Sequence, residues 1–264
     1  MGTKDRLNRL HVEIPSLSTS LPLTFDSGVY LRVDEDRLDV LKVMIIGSEG
    51  TPYENGCFVF DVFVPLQYPN VSPNVQLVTT GNGTVRFNPN LYNCGKVCLS
   101  LLGTWQGPGW DPKLSTLLQV FMSIQSLILV PDPYYNEPGF ESHKNDRQSL
   151  HYNNILRYHT IRVAMSDMLK KPVPEFADVV EAHFRNKKHY LMQLCDTWLQ
   201  DAAKLCDKPA QPASVPGKLL GNWGGAYFGG GGGGMGAHGN GPVTYDDFEK
   251  AVQGFKTLLN EKFP

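Results

Sequence analysis

The chain has 264 residues, enough for one domain of ordinary size with appendages or for two small domains. With 41% hydrophobic and 19% charged residues it is a globular protein, and a formal net charge of -2 gives no electrostatic case for nucleic acid or membrane binding. Five cysteines without a C-x-x-C pair imply neither a zinc framework nor a disulfide scaffold, and a reducing, cytoplasmic setting suits them. The first fifteen residues, MGTKDRLNRLHVEIP, carry charges every few positions and lack the apolar centre of a secretory signal. Leu7, Leu10 and Ile14 recur at helical spacing behind a Thr3 cap, which predicts a short helix over 4–14 ended by Pro15.

From Val29 the period shortens. VYLRV, LDVLKVMIIG and CFVFDVFVP read as three successive strands, and VQLVTT, after a proline-rich turn, as a fourth. Short polar turns between them predict an antiparallel meander. Phe58, Phe60, Val62 and Val64 alternate with their neighbours, so one face of the third strand packs on a helix.

The segment 86–112, RFNPNLYNCGKVCLSLLGTWQGPGWDP, carries the chemistry. Cys98 follows an Asn88-Pro89-Asn90 turn and precedes Trp110-Asp111-Pro112. An isolated V-C-L is ordinarily a buried structural cysteine, since a free thiol packs as a small hydrophobe. A thiol held between an amide-bearing turn and a helix start also has the parts for acyl-thioester chemistry. Asn90 is the candidate oxyanion donor, while its alternative role, bonding its own backbone in the turn, is compatible with the first. Cys94, nearby in the loop, reads as an incidental thiol or as a redox partner.

Asp111 as cap and Pro112 in the first turn predict a central helix bearing Leu114, Leu117, Leu118, Phe121 and Ile128 on its apolar face. The apolar run 120–130 within it is too short and too interrupted to span a bilayer. Two further helical segments follow, 148–171 with Ile155, Tyr158, Ile161, Met165 and Met168, and 175–205 with Leu191, Leu194, Trp198, Ala202 and Leu205. The glycine-rich run 221–241 predicts a flexible tether. Beyond it, Thr244 and Asp247 form a capping pattern, with Phe248, Val252, Phe255 and Leu259 on one face. This last helix either folds back onto the domain or docks on a partner.

The motifs resemble those of ubiquitin-conjugating enzymes. Asn88-Pro89-Asn90 stands for the family's His-Pro-Asn turn, Gly95-Lys96-Val97-Cys98-Leu99 for its nucleophile stretch and Trp110-Asp111-Pro112 for its Trp-x-Pro. Gly47 to Gly56 and Tyr68 to Pro73 match its two turn motifs. Both read as turn geometry, because proline fixes φ and glycine permits positive φ. LSTSLPL, RFNPNLYN, GKVCLSLL, QSLILV and PYYNEPGF point to the branch of giant inhibitor-of-apoptosis hybrid conjugating enzymes, as does a four-residue expansion between Cys98 and Trp110.

The resemblance implies an α+β fold, with a four-stranded antiparallel sheet, an N-terminal helix, a central helix and C-terminal helices. Residues 1–206 form the conjugating domain with a C-terminal helical extension, 207–243 a Pro/Gly-rich linker and 244–262 a tethered amphipathic helix. It further implies that Cys98 accepts ubiquitin from the activating enzyme as a thioester and yields it to a substrate lysine, alone or with a ligase. Glu137, in the loop after the central helix, is the implied carboxylate that prepares the lysine. No metal or organic cofactor is required, and neither a nucleic-acid partner nor a membrane span is expected. Two other classes stand beside this one: a conjugating-fold adaptor, if Cys98 is buried, and a thiol hydrolase. The latter needs an activating histidine that no signature picks out among the seven present.

Overall fold

Strands β1 (Val29–Val33), β2 (Val40–Ile46), β3 (Cys57–Phe63) and β4 (Asn74–Leu77) form one antiparallel sheet in the order β1-β2-β3-β4. Short connections join strands rich in β-branched and aromatic residues, which leaves a meander as the accessible topology. The computed structural model describes residues 2–24, 26–140, 146–206, 240 and 243–264. Most of the linker expected over 207–243 lies outside these residues.

Register sorts the side chains into two faces. Val43, Phe60 and Leu77 are aligned across the sheet on one side, and Lys42, Asp61 and Gln76 on the other. On the first face Leu41, Val43, Ile45, Phe58, Phe60 and Val62 are buried with Leu10 and Leu17 of α1 (Gly2–Ser20) and with Leu117, Val120 and Phe121 of α2 (Leu117–Ser123). Each large apolar side chain removed from water there contributes about 2 kcal/mol.

Both helices differ from the sequence expectation. The first continues through Pro15 to Ser20 and begins at Gly2, so Thr3 lies inside it. Leu17, 2% exposed, extends the apolar spacing of Leu10 and Ile14 by another turn, and its burial offsets the backbone bond that the proline removes. The central helix starts at Leu117 rather than at Pro112. Asp111 caps only a local turn, accepting from the Lys113 and Leu114 N–H groups, and Leu114 is 71% exposed. Thr116 and Gln119 form a reciprocal capping box, and Glu13 of α1 accepts the Leu117 N–H at 2.8 Å, so the Thr116, Leu117 and Gln119 N–H groups all have partners there. The helix ends in a π-helical turn, Ile124–Ile128.

The second face is covered at one end only. Met44, Ile46, Cys57 and Val59 are buried against C-terminal helices, while Val40 and Phe63 are exposed. The covering elements are α3 (Asp146–His159), its π-helical continuation Thr160–Asp167, α4 (Met168–Lys170), α5 (Ala177–Asn186), α6 (Lys188–Cys206) and α7 (Tyr245–Lys262). The segment read as one helix over 175–205 is broken at Lys187. Its ammonium, buried at the break, donates to Asn55 Oδ1 at 2.7 Å. Of the two places open to the last helix, α7 takes the first. Phe248, Val252, Phe255 and Leu259 are buried with Phe184 and Trp198, and Thr244 and Asp247 cap its start. Among the described residues no helix is long and apolar enough to cross a membrane.

Candidate active site

Cys98 lies on a loop pinned from three sides. The Leu77 N–H at the end of β4 donates to the Gly95 carbonyl at 2.8 Å, and Gly95 has φ +88° with a hypothetical Cβ only 2.6 Å from the Leu77 carbonyl, so no other residue fits. The Cys98 N–H donates to the Asn90 carbonyl at 2.8 Å, and Asn90 Nδ2 donates back to the Cys98 carbonyl at 2.9 Å. Thr104 closes the far side: its Oγ1 accepts the Leu99 N–H at 2.9 Å and donates to the Val97 carbonyl at 2.8 Å. Nucleophile and amide are thus held as one unit.

Asn88, where the family motif has histidine, is fully buried and engaged on every side. Its Oδ1 accepts the Asn90 N–H at 2.8 Å, while its Nδ2 donates to Tyr53 Oη at 3.0 Å and to the Ile128 carbonyl at 2.7 Å. Tyr53 in turn donates to the Phe87 carbonyl at 2.8 Å. A second amide, Asn136 Nδ2, reaches the Leu127 carbonyl at 3.0 Å and Asn88 Oδ1 at 3.4 Å. The asparagine therefore ties the N-P-N turn to the end of the central helix and to the loop beyond it.

A groove of about 770 Å³ opens over the thiol. Asn90, Cys98, Leu127, Tyr135, Asn136 and Pro138 line it, and Gly103, Thr104, Trp105 and Gln106 from the expanded loop build one wall. Trp105 and Gln106 thus stand at the groove, and Lys96 does not line it. Cys98 itself is only 2% exposed. Burial raises its thiol pKa, opposed by the cations Lys96 and Arg86 and assisted by Cys94. The resting sulfur is protonated at neutral pH, so an incoming acyl group must meet a thiol that loses its proton on attack.

Glu137 is placed differently from the implied gate carboxylate. Its flanking residues line the groove, but its own side chain does not, and Oε2 stands 3.6 Å from Arg86 Nη2. Burial raises its pKa and Arg86 pulls the other way. The polar residues that line the groove from this loop are Tyr135 and Asn136. Trp110, expected at a helix start, instead donates from Nε1 to the Pro69 carbonyl at 2.7 Å. Sequence reasoning missed Thr104 and the bracing by Tyr53 and Asn136. Only the expanded loop and the G-x-x-x-T-P-Y-x-x-G motif marked two of these three residues.

The family model for ubiquitin-conjugating enzymes matches residues 9–159, more than half of the chain. The chain belongs to the ubiquitin-conjugating enzyme family. Among curated relatives, it is 49% identical over 203 residues to the mouse "Dual E2 ubiquitin-conjugating enzyme/E3 ubiquitin-protein ligase BIRC6", covering 74% of this chain and 4% of that protein. It is 44% identical over 207 residues to the Caenorhabditis elegans "Probable ubiquitin-conjugating enzyme protein 17", covering 76% of this chain and 28% of that one. An Arabidopsis thaliana relative, "Putative ubiquitin-conjugating enzyme E2 38", is 39% identical over 202 residues, or 74% of this chain and 60% of its own. The likeness to the hybrid branch is borne out by the first of these. This conjugating-family chain spans between 4% and 60% of the length of these relatives, and family membership accounts for the sheet, α1, α2 and the Cys98 loop.

Proposed function

We propose that the chain is a ubiquitin-conjugating acyltransferase in which Cys98 carries ubiquitin as a thioester. The observation that carries this reading is the reciprocal bonding of Asn90 and Cys98 on the floor of an open groove. In the first transfer the Cys98 sulfur attacks the thioester carbonyl on the activating enzyme, whose thiolate leaves. In the second, a neutral substrate amine attacks the Cys98 thioester, the tetrahedral oxygen takes up negative charge, and the carbon–sulfur bond breaks as the amide forms, the amine's proton passing through water to the departing Cys98 thiolate. Asn90 Nδ2 has a second N–H beyond the one given to the Cys98 carbonyl, and this is the donor for that oxygen. Glu137 acts through Arg86 rather than on the amine, and Asn136 is the polar group the amine meets.

The partners in this reading are ubiquitin, the activating enzyme, protein substrates and a ligase for some of them, and the setting is the cytoplasm. Residues 1–206 are the conjugating domain with its helical extension, 207–243 a linker, and 244–262 a helix returned to that extension. Incubation with activating enzyme, ATP and ubiquitin, followed by a non-reducing gel, tests the reading. A thiol-sensitive adduct absent from Cys98→Ala supports it. The 2% exposure of Cys98 is what an adaptor would share, and no adduct from the intact chain would favour that class instead.

A further inference from the structure

Arg86 precedes the N-P-N turn by two positions and is gripped along its backbone by a residue from the far end of the chain. Its N–H donates to Asn240 Oδ1 at 2.8 Å and its carbonyl accepts from Asn240 Nδ2 at 2.9 Å. A side-chain amide 154 residues away thus makes the pair of bonds that a neighbouring strand would make. The side chain is 17% exposed. Its Nη2 donates to the Pro89 carbonyl at 2.8 Å and lies 3.6 Å from Glu137 Oε2, and its carbon sits 4.4 Å from the centre of the Tyr92 ring. Pro89 belongs to the N-P-N turn and Glu137 to the loop after the central helix. Tyr92 belongs to the loop that turns into Cys98, where its N–H donates to the Lys96 carbonyl at 3.0 Å. One planar cation therefore touches three of the segments that surround the thiol.

We infer that Arg86 is a positioning residue for transfer at Cys98, setting the spacing of these three segments, and that Asn240 holds Arg86 in register. The active-site scaffold then includes a part of the chain well beyond the 9–159 stretch matched by the family model. The planar fork suits this task because its face lies over the Tyr92 ring while its Nη2 donates to the Pro89 carbonyl and stays within ion-pair range of Glu137. The same cation, with Lys96, favours the Cys98 thiolate against its burial.

The inference rests on the transfer reading, so the test keeps the two apart. The full chain and its Arg86→Gln, Arg86→Lys and Asn240→Ala variants are charged with ubiquitin, and discharge onto free lysine is timed in a single turnover. The pH profile of Cys98 alkylation by iodoacetamide is followed by peptide mass, without ubiquitin. Arg86→Gln raises the alkylation midpoint by about half a pH unit and slows discharge about tenfold. Arg86→Lys keeps the midpoint but still discharges slowly, because an ammonium supplies charge without the fork. Asn240→Ala also leaves the midpoint in place and slows discharge about threefold. A rise in midpoint for Arg86→Gln with retention in Arg86→Lys is not expected of a general loss of structure. Failure of the unaltered chain to charge would remove the transfer reading itself. If that chain charges while Arg86→Lys and Asn240→Ala discharge at its rate, the positioning role is wrong.

Discussion

The two faces of the sheet are built by the same strands and serve different ends. On the first, apolar residues run across all four strands and meet α1 and α2, so the layer under Cys98 is continuous. On the second, the apolar stretch stops after Met44 and Val59, and beyond it Lys42 pairs with Asp61 at the surface. The covered end also carries polar bolts, all to the turn between β2 and β3. Lys187 donates to Asn55 Oδ1, Tyr190 donates to Glu54, and Thr160 Oγ1 donates to the Pro52 carbonyl at 2.9 Å. The turn that the family motif offers as geometry is thus the anchor of the C-terminal helices. Both faces add buried polar contacts to packing, around Glu13 between α1 and α2 on the site face and at the β2–β3 turn, one corner, on the extension face.

If the site face is the common support, damage there should be the most costly. Phe58 meets Tyr53 and Phe87 edge-on at 5.7 and 5.0 Å, and Tyr53 is the residue that orients Asn88. Phe58→Ala is expected to lower stability by about 4 kcal/mol and to abolish charging with it, as read by urea unfolding and the thioester gel. On the other face Phe184 packs edge-on against Phe255 at 5.9 Å between two helices that can close on the space. Phe184→Ala is expected to cost about 3 kcal/mol and to leave Cys98 chargeable at low temperature. Loss of charging in both variants at equal residual folding would erase the distinction between the faces.

Acid separates the faces by a different route. His159 and His183 are held neutral on the extension side, the first pushed down to about 3 by burial and Arg162, the second to about 4 by burial and Lys187 against a contact with the Asn55 carbonyl. Unfolded, each titrates near its ordinary value of about 6.5. The unfolded chain therefore takes up protons first as pH falls, and the stability held above 6.5 is lost progressively toward the folded values. Between pH 7 and 5.5 each imidazole should account for a loss of about 1 kcal/mol, seen as a lower urea midpoint. Asp39, whose carboxyl is lowered by Arg37, loses its contribution only below the ordinary carboxylate range and does not confuse this window. An unchanged midpoint at pH 5.5 would mean that these rings are not buried neutral.

What could be read from the chain follows the range of each interaction. Alternation in CFVFDVFVP gives the site face, and the i, i+4 spacing of Phe248 and Val252 gives α7, because periodicity records a neighbour layer directly. Full apolarity in VMII and CFVF also records burial on both faces, a signal of the extension. Cys98 and Asn90 were legible because their spacing is a local motif. The start of α2 was not, since Glu13 of α1, 104 residues before Leu117, helps to choose it. The break at Lys187 depends on Asn55, 132 residues earlier, and the grip of Asn240 on Arg86 spans 154. Pairings of single residues at such separations leave no period and no motif. Glu137 was assigned by likeness of loop position, and its direction was decided by the partly buried cation beside it.

The smallest effect is expected where the extension meets the sheet at its exposed edge. Arg32 of β1 reaches Asp178 of α5 at 3.0 Å, with the two side chains 40% and 72% exposed. It also donates to the Glu175 carbonyl at 3.0 Å and sits 5.5 Å from the centre of the Phe176 ring. Water screens the ion pair, and two exposed side chains lose freedom in forming it, so the net attraction is small. Arg32→Ala should therefore cost only about 0.5 kcal/mol, most of it from the contact with Phe176, and Arg32→Gln should be nearly neutral. A loss as large as that of Phe184→Ala would show that the extension is held at its exposed edge by charge. The apolar seam of Met44, Val59 and Ile161 would then be secondary.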